Sequence, residues 1–250
     1  MAGRTPIPVL AVLVVLGALP WIIAAAPANP DDAAAMQSIA NTTGAAKSLG
    51  WGVKSADPCD GAWAGGSCDS AGRVTSIRAS RSGLVGWLHA PDLSKLTFLA
   101  ELDLGFNSLT GQTGGDLPLL PAPLQHLRAL DLRSNRFLDV PDGSFAAFPA
   151  LETINLDDNP MVGPKLRQDL LTCSRLRSFS ANNISLSPFP DYLGSTAAFP
   201  ALESLSLARN ALHGAIPAGF GSNSNIKFLD FASTVSVDVS ANPRIGKPCG

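Results

Sequence analysis

Charge is scarce in this chain of 250 residues: only 15% are Asp, Glu, Lys or Arg, and 18 basic groups face 20 acidic ones. A net charge of −2 leaves no basic excess to neutralise phosphates, which excludes a protein built around nucleic acid. With 46% hydrophobic residues and a mean hydropathy of +0.19, the chain is not disordered either. Its length suits one large domain or two small ones with a substantial core. The three histidines, His89, His126 and His213, lie far apart with no i,i+4 partner and no neighbouring Cys, as surface or turn residues do. There is no G-x-S-x-G elbow, no P-loop and no G-x-G-x-x-G. The acidic pairs Asp31-Asp32 and Asp157-Asp158 read as a helix start and as outward side chains of a repeat. The expectation is therefore no enzyme, no catalytic residues, no metal and no cofactor. With 23 Gly and 20 Pro, long helices are excluded and turns are frequent.

One apolar run stands out. Behind a short head containing Arg4, residues Ile7 to Ala26 are apolar apart from small interruptions, and Ala24-Ala25-Ala26-Pro27-Ala28 follows. This is the order of a secretory signal peptide, with cleavage expected after Ala28 so that residues 1–28 are removed. Removal takes the net charge from −2 to −3, because Arg4 is the only charged side chain before Asn29. An uncleaved anchor is the alternative, since about 20 apolar residues span a bilayer. No second run of that length occurs, so the expected mature chain is secreted without a membrane span.

Secretion makes cysteines disulfide candidates. Cys59 and Cys68 flank a Gly-rich loop beside Trp63 and are expected to pair. Two Cys without C-x-x-C spacing or a nearby His make no zinc site. Cys173 and Cys249 remain, and nothing in the sequence decides whether they pair.

Internal repeats carry most of the information. Leu202, Leu205, Leu207, Asn210 and Leu212 match Leu99, Leu102, Leu104, Asn107 and Leu109. They also match Leu127, Leu130, Leu132, Asn135 and Phe137, and then Leu151, Ile154, Leu156, Asn159 and Met161. Weaker copies start at Val74, Leu176 and Ile226, with Ile184 at the Asn position of the copy that starts at Leu176. Starts recur every 24 to 28 residues in the pattern LxxLxLxxNxL. The predicted fold is an α/β repeat solenoid, a leucine-rich-repeat array of about seven coils. Alternate strand residues fill the interior, and each Asn serves the backbone where the chain leaves its strand. Such arrays need caps. Residues 29–73, with a helix in Asp31 to Gly50 and the Cys59–Cys68 bridge, are the expected helical, disulfide-linked N-terminal cap. The repeats run over 74–231. Residues 232–250 read as an irregular tail without a capping unit, leaving an apolar edge near Leu229 and Phe231.

Trp51, Asp57-Pro58-Cys59, Trp63, Cys68 and Gly72-Arg73-Val74 resemble the N-terminal domain of plant receptor-like kinases. More narrowly, Leu156-Asp157-Asp158-Asn159-Pro160 and Cys173-Ser174-Arg175-Leu176-Arg177-Ser178-Phe179-Ser180-Ala181-Asn182 resemble the first repeat block of the plant transmembrane kinase (TMK) receptors. The resemblance covers about residues 31 to 230. It implies an extracellular sensing domain, with a receptor kinase or an auxin-binding protein among its partners. Val235 to Lys247 is similar to the stretch after that family's second repeat block, yet here it follows the first. No V-A-I-K, H-R-D or D-F-G sequence occurs. A truncated relative, unable to phosphorylate by itself, is expected.

The register sets which side chains face outward: Arg78, Asp103, Asp131, Asn155, Ser180, Ser206 and Asp230 form one column. Arg78 next to Asp103 can be a simple surface pair. Asp103 beside Asp131 is a like-charge contact that Arg133 can answer, and Phe106 is an unusual outward aromatic. The candidate patch for a protein or peptide ligand is Glu101, Asp103, Phe106, Asp131, Arg133, Asp157 and Asp158; a generic solvated face is the alternative. Asn41-Thr42-Thr43 and Asn183-Ile184-Ser185 are glycosylation sequons. Three functions are in play: a receptor-type ectodomain, a secreted defence protein of polygalacturonase-inhibitor type, and a nonfunctional truncated fragment.

Overall fold

The computed structural model describes residues 26–163, 166–190, 192, 199–216, 220, 225–234 and the backbone of 236–238. Most of the apolar N-terminal run, residues 7–25, lies outside the described residues, as does Cys249. Among the described residues no helix is long and apolar enough to cross a membrane.

The cap forms because its helix start is satisfied by its own side chains. Helix α1 (Pro30–Thr42) opens with Pro at its first position, and the Asn29 carboxamide accepts from the backbone N–H groups of Asp31 and Asp32 at 3.0 and 3.4 Å. Its inner face buries Ala35, Met36, Ile39 and Ala40. Gly44, at φ 71°, then turns the chain into α2 (Ala45–Ser48). Trp51 and Trp63 lie 5.5 Å apart, and their indole N–H groups donate to the carbonyls of Ala64 and Ser55. The expected Cys59–Cys68 disulfide is present, with a Cα separation of 5.5 Å. It closes the loop into β1 (Gly66–Cys68), which pairs antiparallel with β2 (Val74–Arg78).

Beyond the cap the chain alternates short strands and turns: β3 (Val85–Leu88), α3 (Ala90–Leu93), β4 (Glu101–Asp103), β5 (Ser108–Gly111), β6 (Ala129–Asp131), β7 (Thr153–Asn155), β8 (Ser178–Ser180), β9 (Ser204–Ser206), β10 (His213–Ala215), β11 (Phe228–Asp230) and β12 (Ser236–Asp238). One sheet runs β1-β2-β4-β6-β7-β8-β9-β11, parallel and in register from β2 onward. These seven parallel rungs are the predicted coils. Their central residues Ile77, Leu102, Leu130, Ile154, Phe179 and Leu205 are all buried, and Leu229 is partly buried. Two side ladders, β3 with β5 and β10 with β12, flank the main sheet. Helical returns are short, namely α3 and the 3-10 turns Phe145–Ala147 and Gln168–Thr172.

Two features at each strand exit hold the coils together. The residue before the Asn position is left-handed in every coil: Arg81, Phe106, Ser134, Asp158, Asn183, Arg209 and Ser233 have φ between 50° and 57°. That conformation costs a side-chain-bearing residue about 1 kcal/mol. It lets the N–H of the first six donate to the carbonyl two residues beyond the strand of the following coil, as Phe106 does to Arg133. The asparagine that follows is the second device. Asn135 accepts from Leu109 N–H and donates to the carbonyls of Leu104 and Leu132. Asn107, Asn159 and Asn210 repeat this pattern. Each thus bridges its own coil to the preceding one. In the coil that starts at Leu176 the position holds buried Ile184, so this bridge is missing there.

Two buried carboxylates join cap to array. Asp32, fully buried, accepts from Arg73 Nε and Nη2 and from Val74 N–H. It therefore does more than start α1. Asp92 accepts from Ser38 Oγ on α1, His89 Nδ1 and Lys95 Nζ. Burial alone pushes Asp92 up, but these three hydrogen bonds outweigh it and hold the carboxyl at about 2.

Several expectations need correction. Residues 236–238 of the tail expected to be irregular form β12, paired in parallel with β10. Phe231 is not a bare edge: its ring packs edge-on to Phe189 at 5.5 Å and tilted to Phe220 at 6.4 Å. The exposed apolar side chain of the last rung is Phe228, at 52%. Cys173, whose pairing the sequence leaves open, is buried and free, its Sγ–H facing the carbonyls of Phe145 and Phe148.

The Asn135→Ala variant strands the Leu109 N–H in the core, while the Leu104 and Leu132 carbonyls keep Asn107 and Asn159 as donors, and it should lose on the order of 2 kcal/mol in chemical denaturation. Asn182→Ala removes the acceptor of the Ala208 N–H and should lose on the order of 1 kcal/mol, less than Asn135→Ala because its site is half-exposed. Asp92 binds its proton more weakly when folded, so its contribution is complete above the ordinary carboxylate range and lost as pH falls from about 4 to about 2. Over that window the wild type should lose roughly 2 kcal/mol of stability that Asp92→Asn does not lose, measured by denaturation at each pH.

Candidate functional site: the open face of the main sheet

Strand alternation sends one set of side chains into the core and the other onto the open face of the sheet. The in-register pairing arranges the outward set in columns. Ser76, Glu101, Ala129, Thr153, Ser178, Ser204 and Phe228 form one column. Arg78, Asp103, Asp131, Asn155, Ser180, Ser206 and Asp230 form the next, as the repeat register predicts. The left-handed residues, Phe106 among them, make the rim.

Most of the predicted patch is brought onto this face, but much of its charge is spent internally. Arg78 pairs with Glu101 through Nε and Nη2 rather than with Asp103 directly across the rung. The reason is reach: Glu101 is one methylene longer and sits diagonally across the neighbouring rung. The hydrogen bond from Arg78 holds the Glu101 carboxyl below its ordinary value. Asp131 is answered by Arg133 at 2.7 Å, as expected. Burial nevertheless pushes Asp131 up, and the nearby Asp103 adds to this. The side chain of Asp103 accepts from Gly105 N–H. Asp157 is the hub of a surface rail: it accepts from Ser180 Oγ, Asn182 N–H and Asn182 Nδ2. The rail continues as Ser206 Oγ donates to Asn182 Oδ1. Asp158 accepts from Asn183 Nδ2 and Arg209 Nη2.

Phe106 stands between two cations. The Arg81 guanidinium lies 3.7 Å from its ring centroid and that of Arg133 lies 5.3 Å away. Gly105 makes room for this: a Cβ there would sit 3.1 Å from Asp131 Oδ1 and 3.2 Å from Arg133 Cγ. Arg81 was missed in the sequence because its coil has Ser82 at the Asn position, which hides the register.

A shallow depression of about 290 Å³ lies across β4, β6, β7 and β8, lined by Asp103, Asp131, Thr153, Asn155, Ser178 and Ser180 among others. A larger one of about 430 Å³ lies beside β3 and β5, where the 28-residue spacing of the second coil lengthens its loop; Leu88, Leu117, Pro118, Leu119 and Pro141 line it. The first depression has convergent polar groups on a rigid sheet, and the second has mainly Pro and Leu walls. The first lies on the face that carries the predicted patch.

The chain is similar to Receptor-like kinase TMK2 of Arabidopsis thaliana, 36% identical over 163 residues that cover 65% of this chain and 18% of that protein. Among solved structures, the crystal structure of PEPR1-AtPEP1 superposes with a TM-score of 0.69 at 25% identity, covering 82% of this chain and 28% of that one. The fold is that of a plant receptor-kinase ectodomain of the leucine-rich-repeat class. The leucine-rich-repeat ectodomain of the receptor kinase SOBIR1 from Arabidopsis thaliana is also similar, with a TM-score of 0.54 at 25% identity and coverage of 85% and 97%. No protein-family model matches the chain. The chain spans about a fifth of the length of the curated relatives it matches. The repeat assignment and the resemblance to the transmembrane-kinase receptors thus both stand.

Because burial raises Asp131, its ionised form costs folding energy at neutral pH. Its contribution is therefore most favourable when protonated and falls as pH rises through its folded value. The Asp131→Asn variant should accordingly unfold at pH 7 no more easily than wild type, read by thermal denaturation. A clear loss of stability would mean that the ion pair with Arg133 dominates.

Proposed function

We propose that the open sheet face binds a protein or peptide ligand, as a receptor ectodomain does, and that the chain works outside the cell after removal of residues 1–28. The observation that carries this reading is the polar depression over β4, β6, β7 and β8, next to the Phe106 ring and its two guanidinium groups. A rigid in-register sheet presents these groups without the entropy cost of ordering a loop. The solved PEPR1-AtPEP1 structure supports the reading by its fold. The ligand-contacting residues we assign are Glu101, Asp103, Phe106, Asp131 and Arg133. Asp157 and Asp158, engaged in side-chain hydrogen bonds, serve to position the rim. The activity is recognition rather than catalysis. A receptor kinase ectodomain and an auxin-binding protein are the partner classes to test first.

Interferometry of the secreted chain against a panel of plant receptor-kinase ectodomains, auxin-binding proteins and secreted peptides tests this. A partner should bind wild type and lose at least about tenfold, or 1.4 kcal/mol, on the double change Phe106→Ala and Asp131→Ala. Binding that survives the double variant moves the site elsewhere, and no binding across the panel rejects the reading.

A further inference from the structure

The two halves of the open face differ. From β2 to β6 it carries Arg78, Glu101, Asp103, Asp131 and Arg133; on β8 and β9 its columns are Ser178, Ser180, Asn182, Ser204 and Ser206. That second half is already occupied with itself, because Asp157, Ser180, Asn182 and Ser206 are linked in one hydrogen-bonded rail. Its rim holds the sequon Asn183-Ile184-Ser185, in which Asn183 and Ser185 are exposed and Ile184 is buried. Asn183 is left-handed, at φ 53°, so its side chain leaves the coil at the edge of the face. Its Nδ2 donates to Asp158 Oδ1 at 2.9 Å, and the same oxygen is shared with Arg209.

We propose that Asn183 carries an N-linked glycan that covers Asp158, Arg209 and the β9 end of the face, confining ligands to the depression over β4, β6, β7 and β8 and the charged rungs beside it. In the transfer, Nδ2 attacks the anomeric carbon of a lipid-linked oligosaccharide pyrophosphate. A C–N bond forms, the C–O bond to pyrophosphate breaks with its electron pair, and one amide proton leaves. The nitrogen keeps its second hydrogen and with it a donor for Asp158. The first sugar is thus anchored beside a carboxylate and a guanidinium, both of which bond to sugar hydroxyls. Asn41, exposed near the end of α1, is a second sequon on the cap and away from this face.

The proposal rests on the extracellular reading but is tested without any ligand. The full chain is secreted from plant cells and the peptide containing Asn183 is analysed by mass spectrometry before and after glycosidase treatment. A glycan is expected on Asn183 and is lost in Ser185→Ala, which removes the sequon while leaving Asn183 bonded to Asp158. An unmodified Asn183 overturns the proposal, whatever the state of Asn41. Labelling with phenylglyoxal reads the shielding: Arg209 should become severalfold more reactive on deglycosylation or in Ser185→Ala, while Arg81 stays constant. Equal labelling of Arg209 in all forms overturns the shielding. Failure of the ligand panel with a glycosylated Asn183 rejects the binding reading alone.

Discussion

Where the chain turns out of each strand, backbone N–H and C=O groups point into an apolar interior with no water to meet them, and a single buried asparagine answers them. Asn107, Asn135, Asn159 and Asn210 each bind the backbone of their own coil and of the one before. An unpaired buried backbone group costs about 1 to 3 kcal/mol, so stacking depends on these side chains as much as on the leucines around them. The leucines supply burial without direction. The asparagines add direction at the strand exits, while the backbone ladder carries the register through the coil of Ile184 as well.

A register fixed this way makes the open face a lattice. Arg81, Phe106 and Arg133 come from three coils yet stack on one another because each sits at or next to the same strand exit. The left-handed backbone that places Phe106 on the rim recurs in every coil, so it belongs to the fold and not to a special binding loop. What differs along the face is the side chain the repeat leaves open at each outward position. The departure at Ile184 falls where the face changes from charged to serine-rich, and there Asn182 joins the surface rail.

The cap matters for the same reason. The first coil has no preceding coil to complete it, and β1, closed by the Cys59–Cys68 bridge, takes that place antiparallel to β2. The buried Asp32–Arg73 pair and the Asp92 node then lock α1 against the array, at the end where the charged half of the face begins.

The amino-acid sequence alone determined the repeat, its period, the inward leucines, the capping disulfide and the column from Arg78 to Asp230, because all follow from local periodicity and from two nearby cysteines. It also pointed to Phe106 and to the Asp131–Arg133 pair, since strand alternation and a two-residue separation suffice for both. Only the tertiary structure decided that Arg78 reaches Glu101, that Arg81 stacks on Phe106, that Asp157 organises a hydrogen-bonded rail, and that residues 236–238 pair with β10. These depend on diagonal distances between coils and on where long side chains end. A repeat pattern gives the order of the rungs and which way each residue points, but the reach of one rung's side chains to the next exists only once the coils have stacked.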